Sequence, residues 1–209
     1  MPTATWRNLP ADKRARITDV AMQEFGARGF SAGSLNVIAK NAGIAKGSLF
    51  QYFDDKLDLF VAICEAGAAD IEAAVLAGND PDAPLFDNVR EMAARWVAFY
   101  RSHPMHRAIA HASANEIDAT ARIAVREVTN ARLRAALQPM VRAAMERGEL
   151  RPDVDEAIVV SMVPVVLRHL SSAPFDPAGD VAIRLTELPD QQVDRWGTAY
   201  VDALEAAFT

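Results

Sequence analysis

The sequence predicts an all-α protein with a small N-terminal helical domain over residues 11–71 and a larger helical body over residues 72–209. Three observations carry that expectation. Apolar residues recur at the spacing of one helix face along most of the chain. Breaks rich in glycine and proline, above all residues 78–84 (GNDPDAP) and 171–189, cut those stripes into helix-sized pieces. Apolar residues make up 51% of the 209, with alanine abundant, which suits a sizeable helical core.

The segment before Ala11, with Arg7, is expected to be a loose arm. A helix follows from about Ala11 to Ala27, with Ile17, Val20, Ala21 and Phe25 on one face, and Gly26 and Gly29 bracket its end. Ser34 can cap a short helix in which Leu35, Ile38, Ala39 and Ala42 form one buried stripe. Gly43 stands where a helix ending in the left-handed conformation needs a residue without Cβ. Ile44 plugs the corner, and Leu49, Tyr52 and Phe53 make the apolar side of a second short helix. That helix is led by Lys46 and is polar on its outer face. Residues 34–53 therefore have the dimensions and chemistry of a helix-turn-helix whose second helix can lie in a DNA major groove.

Asp54 and Asp55 can cap the next helix, which runs through Leu57, Phe60, Val61, Cys64 and Ala68 to about Leu76. A helix from near Leu85 carries Val89, Met92, Ala93, Trp96 and Tyr100 on one stripe, with Phe99 beside it. Ser102, His103 and Pro104 break it, and Pro104 suits the first turn of a short new helix. From Asp118 a helix extends towards Arg147, with Pro139 expected to kink it. The helix from about Asp155 to Leu170 is apolar nearly all round and needs cover on two sides. Residues 171–189 form a long loop whose 181–188 portion can hold a turn of helix or strand. The last helix, about Asp190 to Phe208, places Val193, Trp196, Tyr200, Leu204 and Phe208 on one face.

Arg16 to Phe60 resembles the DNA-binding domain of the TetR family of bacterial transcriptional regulators. The matching elements are F-x-x-x-G-F (Phe25, Gly29, Phe30), I-A-x-x-A-G-I from Ile38 to Ile44, K-G-S-L-F-Q-Y-F from Lys46, and the closing Lys56. The resemblance implies a DNA-binding domain over residues 11–71 and a ligand-binding and dimerisation domain over residues 72–209. It also implies a phosphate clamp at Lys56 and a phosphate-bonding hydroxyl at Ser34. Two positions depart from the family: Ala45 stands where many members have a serine cap, and Phe50 replaces a tyrosine whose hydroxyl bonds phosphate.

From side-chain chemistry, Lys46 and Ser48 can bond phosphates or base edges, and Gly47 lets the DNA backbone approach. Gln51 can pair bidentately with adenine, Tyr52 can stack or touch a thymine methyl, and Asn36 faces outwards. The charge distribution agrees. Residues 1–56 hold eight basic and five acidic side chains, whereas the remainder holds 14 basic and 23 acidic, within a net charge of −6.

In the body, Met92, Trp96, Phe99, Tyr100, His103, Met105 and Met162 are the expected lining of a ligand cavity, flexible thioethers suiting an adaptable apolar pocket. Val159, Val163, Val166, Trp196, Tyr200 and Leu204 are the expected dimer interface. The expected partners are an operator duplex, a second copy and a small-molecule effector, with no cofactor and no metal. No catalytic constellation or phosphate loop is present in the sequence. Cys64, the single cysteine, allows no internal disulfide and is expected to be buried. The N-terminus lacks the apolar core of a signal peptide, and no uninterrupted apolar run spans a membrane, so the cytoplasm is the expected compartment. Two rival readings remain: a helical metal- or small-molecule-binding enzyme using His103, His106 and His111, and an architectural DNA binder without effector.

Overall fold

The structure, a computed structural model, describes residues 2–180 and 182–209, and these are helical without a strand. In chain order the helices are α1 Ala4–Arg7, α2 Ala11–Ala32, α3 Leu35–Asn41, α4 Lys46–Tyr52, α5 Lys56–Leu76, α6 Leu85–Ser102, α7 Pro104–Ala114, α8 Ala119–Glu146, α9 Glu156–Ser172 and α10 Asp190–Phe208. Two single 3₁₀ turns, Ala173–Phe175 and Leu185–Glu187, interrupt the expected long loop. The second falls in the stretch that could hold a turn, while Val181 lies outside the described residues.

The chain forms two compact units. The first comprises residues up to Asp70 together with His103–Asn130; the second comprises Ile71–Ser102 and Ala131–Thr209. The chain first passes between the units after Asp70, and His103–Asn130, expected in the C-terminal domain, packs with the N-terminal helices. The cause is the close approach of α2 and α7: a Cβ on Gly26 would lie 3.2 Å from the Ala108 Cβ and the Ile109 nitrogen. Ile109, Ala121 and Val125 then join Ile17, Phe25, Ile38, Leu49, Phe53 and Phe60 in a single core. Cys64 is buried in this unit as expected, and burial pushes its thiol well up, outweighing a hydrogen bond with Ser113.

The N-terminal segment is not a loose arm. Thr3 caps α1 by accepting from the Trp6 N–H, and Trp6 is buried with its ring 4.7 Å from that of Phe53 and 5.9 Å from that of Tyr52. The buried indole supplies the apolar anchor of this segment, beside the hydrogen bonds that Thr3 makes to α4.

In the second unit α6, α9 and α10 pack against one another. Met92, Trp96 and Tyr100 of α6 and Val159, Val163 and Leu167 of α9 are buried, with Val201, Leu204 and Phe208 from α10. Several expectations for this region are therefore corrected. Val159, Val163 and Leu204 are core residues within one chain, and Val166 is half-buried. Tyr200 is half-buried with its hydroxyl donated to Asp180 at 2.7 Å; burial and then that bond push its phenol up to about 12. The same carboxylate, held low by the Ile183 and Ala182 N–H groups, also meets His169 at 3.0 Å. Met162 is not in a cavity: it lies on the outer face of α9 with Ile158 and Val165. Trp196, exposed on α10, is not among these corrections. His103 and Met105 belong to the first unit, where Met105 packs on the core and the His103 ring meets that of His106. The corrections on α9 share a cause: a helix apolar all round gives no sequence signal of which side faces its own chain.

By length and composition α9 with its following turn, Glu156–Phe175, could cross a membrane, but it carries Arg168 and His169 and one side packs on α6 and α10.

Candidate nucleic-acid interface

The hairpin forms as its residues dictate. Ser34 accepts from the Val37 N–H at 3.4 Å, capping α3. At the far end Gly43 takes φ +65°, while the Ile44 N–H donates to the Ala39 carbonyl and the Gly43 N–H to the Lys40 carbonyl. This is the paired closure that a left-handed residue after a helix allows. Ala45 provides no side-chain cap to α4, as its side chain requires.

Leu49, Tyr52 and Phe53 turn α4 onto the core. Lys46, Gly47 and Gln51 are thereby left exposed, Ser48 is half-buried, and Asn36 is exposed on α3. Phe50 is 49% exposed beside them on the outer face of α4. Tyr52, expected among the DNA contacts, is instead 4% exposed and packed on Trp6, because an aromatic ring on the inner face of so short a helix is needed for its attachment.

Polar contacts lock this hairpin from several sides. Thr3 donates its N–H to the Tyr52 carbonyl at 3.0 Å and its hydroxyl to the Gln51 carbonyl at 2.8 Å, so two open carbonyls at the end of α4 are satisfied. The Arg16 guanidinium reaches the Ala42 carbonyl at 3.1 Å, and buried Glu24 accepts from the Ser34 N–H at 3.0 Å. The Lys56 ammonium donates to the Ser31 carbonyl at 3.3 Å and lies 4.8 Å from the centre of the Phe30 ring.

Glu116, between α7 and α8, completes the set. Its carboxylate accepts from the Phe30 N–H at 2.6 Å, the Ser31 N–H at 3.3 Å, the Ser31 hydroxyl at 2.5 Å and the Asp118 N–H at 3.1 Å. Burial alone pushes this carboxyl up, but those four bonds outweigh it and hold the group down at about 2. Sequence reasoning assigned no role to Glu116, Thr3, Trp6 or Glu24 and named Arg16 only as the start of the family resemblance. The one available signal was the glycine at position 29; in the structure it takes φ +70° inside α2, a bend that something must hold.

The histidines do not gather. His106 pairs with Asp70 at 3.1 Å and stacks edge-on with His103, while His111 lies against Asn115. Among the described residues no three His, Cys, Asp or Glu side chains are placed to hold a metal ion. The expected ligand set keeps Met92, Trp96, Phe99 and Tyr100 together along α6, with Phe175 facing Tyr100 at 6.4 Å.

A glycine-turned helical pair with a largely polar exposed face on its second helix, fixed on the core of the first unit, is the arrangement of a helix-turn-helix DNA-binding transcriptional regulator. The sequence agrees over both units: residues 17–63 match the profile of bacterial regulatory proteins of the tetR family, and residues 82–188 match the tetracyclin repressor-like C-terminal domain. The chain belongs to the TetR family. The HTH-type transcriptional regulator AcrR of Shigella flexneri is 42% identical over 60 residues, which is 29% of this chain and only 28% of that protein. A TetR family regulator from Chloroflexus aurantiacus J-10-FL superposes with a TM-score of 0.66 at 26% identity, covering 100% of this chain and 98% of the other. FadR of Bacillus subtilis, in complex with stearoyl-CoA, shares the fold with a TM-score of 0.67 at 14% identity, over 91% of this chain and 96% of its own.

Proposed function

We propose that this protein is a ligand-responsive repressor that binds a palindromic operator as a homodimer. The observation that carries the reading is the outward face of α4, polar except for Phe50, mounted on a scaffold of buried hydrogen bonds. In this reading Lys46, Ser48, Ser34, Asn36 and Lys56 meet the DNA backbone, Gly47 allows close approach, and Gln51 pairs with a base. Phe50 supplies an apolar contact where a hydroxyl is missing, a surface that suits a thymine methyl.

Dimerisation draws support from Ile158, Met162 and Val165 on α9 and Trp196 on α10, large apolar side chains between 40% and 54% exposed. A twofold pairing of these faces would cover them and present two recognition helices to successive major grooves, ~34–36 Å apart. An effector bound in the second unit draws support from the Trp96 indole N–H, which is buried without an acceptor. A buried donor of that kind favours an apolar ligand portion bearing a hydrogen-bond acceptor; FadR, which shares the fold, is in complex with stearoyl-CoA, whose acyl chain ends in a thioester carbonyl.

Selection of duplexes from a random-sequence pool tests the reading. A palindromic consensus is expected, with log affinity falling linearly against log salt. Lys46→Ala should weaken binding and flatten that slope, while Gln51→Ala should relax preference at a single base by about 1–3 kcal/mol. Recovery of no consensus, or Lys46→Ala and Gln51→Ala variants that bind as wild type does, sinks the assignment of α4.

A further inference from the structure

The bend between α2 and α3 is made by residues of the N-terminal block but held by a side chain from far along the chain. Gly29 leaves the helical conformation at φ +70°, ψ −178°, and the chain runs through Phe30 and Ser31 to the Ser34 cap. The turn after that break exposes N–H groups that no preceding helical carbonyl can accept. The Glu116 carboxylate occupies that position, and it does so at such close range that a Cβ on Gly29 would lie 2.7 Å from its Oε2. Glycine is therefore required there twice, once by the backbone and once by Glu116.

The two residues that Glu116 fixes are the two that touch Lys56. Phe30 donates its N–H to Glu116 and lies under the Lys56 ammonium; Ser31 donates its N–H and hydroxyl to Glu116 and offers its carbonyl to the same ammonium. Glu116 is itself 5% exposed and fixed by the Asp118 N–H, while the Arg122 guanidinium holds its carbonyl at 2.5 Å. The carboxylate is thus the middle of a relay: connection α7–α8, bend α2–α3, lysine at the head of α5. Its chemistry is specific. All four donors need an acceptor, two at each oxygen, and a carboxamide in its place would turn an NH₂ group towards two of them.

We propose that Glu116 is a positioning residue for DNA binding, setting through Phe30 and Ser31 the bend at Gly29 and with it the place of the Lys56 ammonium. This rests on the reading that Lys56 meets a phosphate, and the test separates the two. The probe is a duplex of about 30 base pairs, long enough for two half-sites one turn apart, selected from a random pool by the full-length wild-type protein. Binding is followed by fluorescence anisotropy across a salt series for wild type, Lys56→Ala, Glu116→Gln and the double variant.

Lys56→Ala should lower the slope of log affinity against log salt by ~0.9, the release expected for one phosphate. Glu116→Gln should lower it by the same amount, and the double variant should match either single variant, as expected for residues that act as one unit. An unchanged slope in Glu116→Gln beside a lowered slope in Lys56→Ala overturns the proposal and leaves the Lys56 reading standing. An unchanged slope in Lys56→Ala overturns both. Weaker binding by Glu116→Gln with the wild-type slope marks a merely structural role and also overturns it. Where Glu116→Gln does not fold by circular dichroism, Ser31→Ala carries the test, since it removes only the hydroxyl bond; a lowered slope supports the relay and an unchanged slope overturns it.

Discussion

The two units of this chain are stabilised in different ways. The first unit has an aromatic core, Phe25 and Phe30 against Phe60 and Trp6 against Phe53, but its shape is set by polar contacts from Thr3, Arg16, Glu24 and Glu116. Each contact ends on a backbone group near a helix terminus, and the buried carboxylates of Glu24 and Glu116 cannot give theirs up without losing partners at a buried site. In the second unit α6, α9 and α10 bury aliphatic and aromatic side chains against one another, and the polar links there, Arg90 with Asp202 and Glu205, Arg101 with Asp190 and Tyr200 with Asp180, run from side chain to side chain rather than to helix-terminal backbone. This unit also leaves one indole N–H unsatisfied and a row of apolar side chains uncovered. In the proposed reading the DNA-binding unit needs one geometry, whereas a unit that took a ligand and a second copy would benefit from unfinished surfaces.

The sharpest way to break that contrast is at the bend. Gly29→Ala combines a left-handed backbone with a contact at 2.7 Å and should destabilise the protein by about 4 kcal/mol, read as a fall in the thermal midpoint. A comparable substitution at Gly197, where a Cβ meets nothing within 4 Å, should leave the midpoint unchanged or raise it.

Acid should act on the same bend. The Glu116 carboxyl is held at about 2, below its ordinary 4.5, so its contribution is complete above about 4.5 and lost as the pH falls through about 2. The native state binds fewer protons than the unfolded state across that window, and stability therefore drops on acidification, by an amount on the order of 3 kcal/mol. Glu116→Gln should be less stable at neutral pH and lose less between pH 4.5 and pH 2 in chemical denaturation.

In the second unit Met162→Glu places a charge on the uncovered face of α9 without touching the core. Monomer stability should hold, while self-association in sedimentation should weaken by at least 100-fold, about 2.7 kcal/mol. The mildest change is Trp96→Phe, which deletes the unpaired indole N–H; stability should move by no more than about 1 kcal/mol. If that N–H serves an effector, the same variant should need more of it to release DNA, and an unchanged response would place the effector elsewhere.

Local residues announced most of the fold. The Ser34 cap, the Gly43 turn, the breakers of residues 78–84 and the helical spacing from Leu85 to Tyr100 depend on neighbours within a few positions, and each appears where expected. The outward placement of Lys46, Gly47 and Gln51 followed from the inward placement of Leu49 and Phe53, a matter of helix periodicity alone. What tertiary structure decided is of another kind. That Trp6 tethers the arm, that Tyr52 serves the core, and that Glu116 reaches back 86 positions to Phe30 are facts of spatial contact between distant segments. The side of α9 that faces α6 was likewise undetermined, since Val159 and Ile158 are equally apolar and only the packing buries one and exposes the other. Sequence fixes which residues can form a helix face; the remote partner that covers it, or the remote acid that a bent backbone requires, is selected only when the whole chain closes on itself.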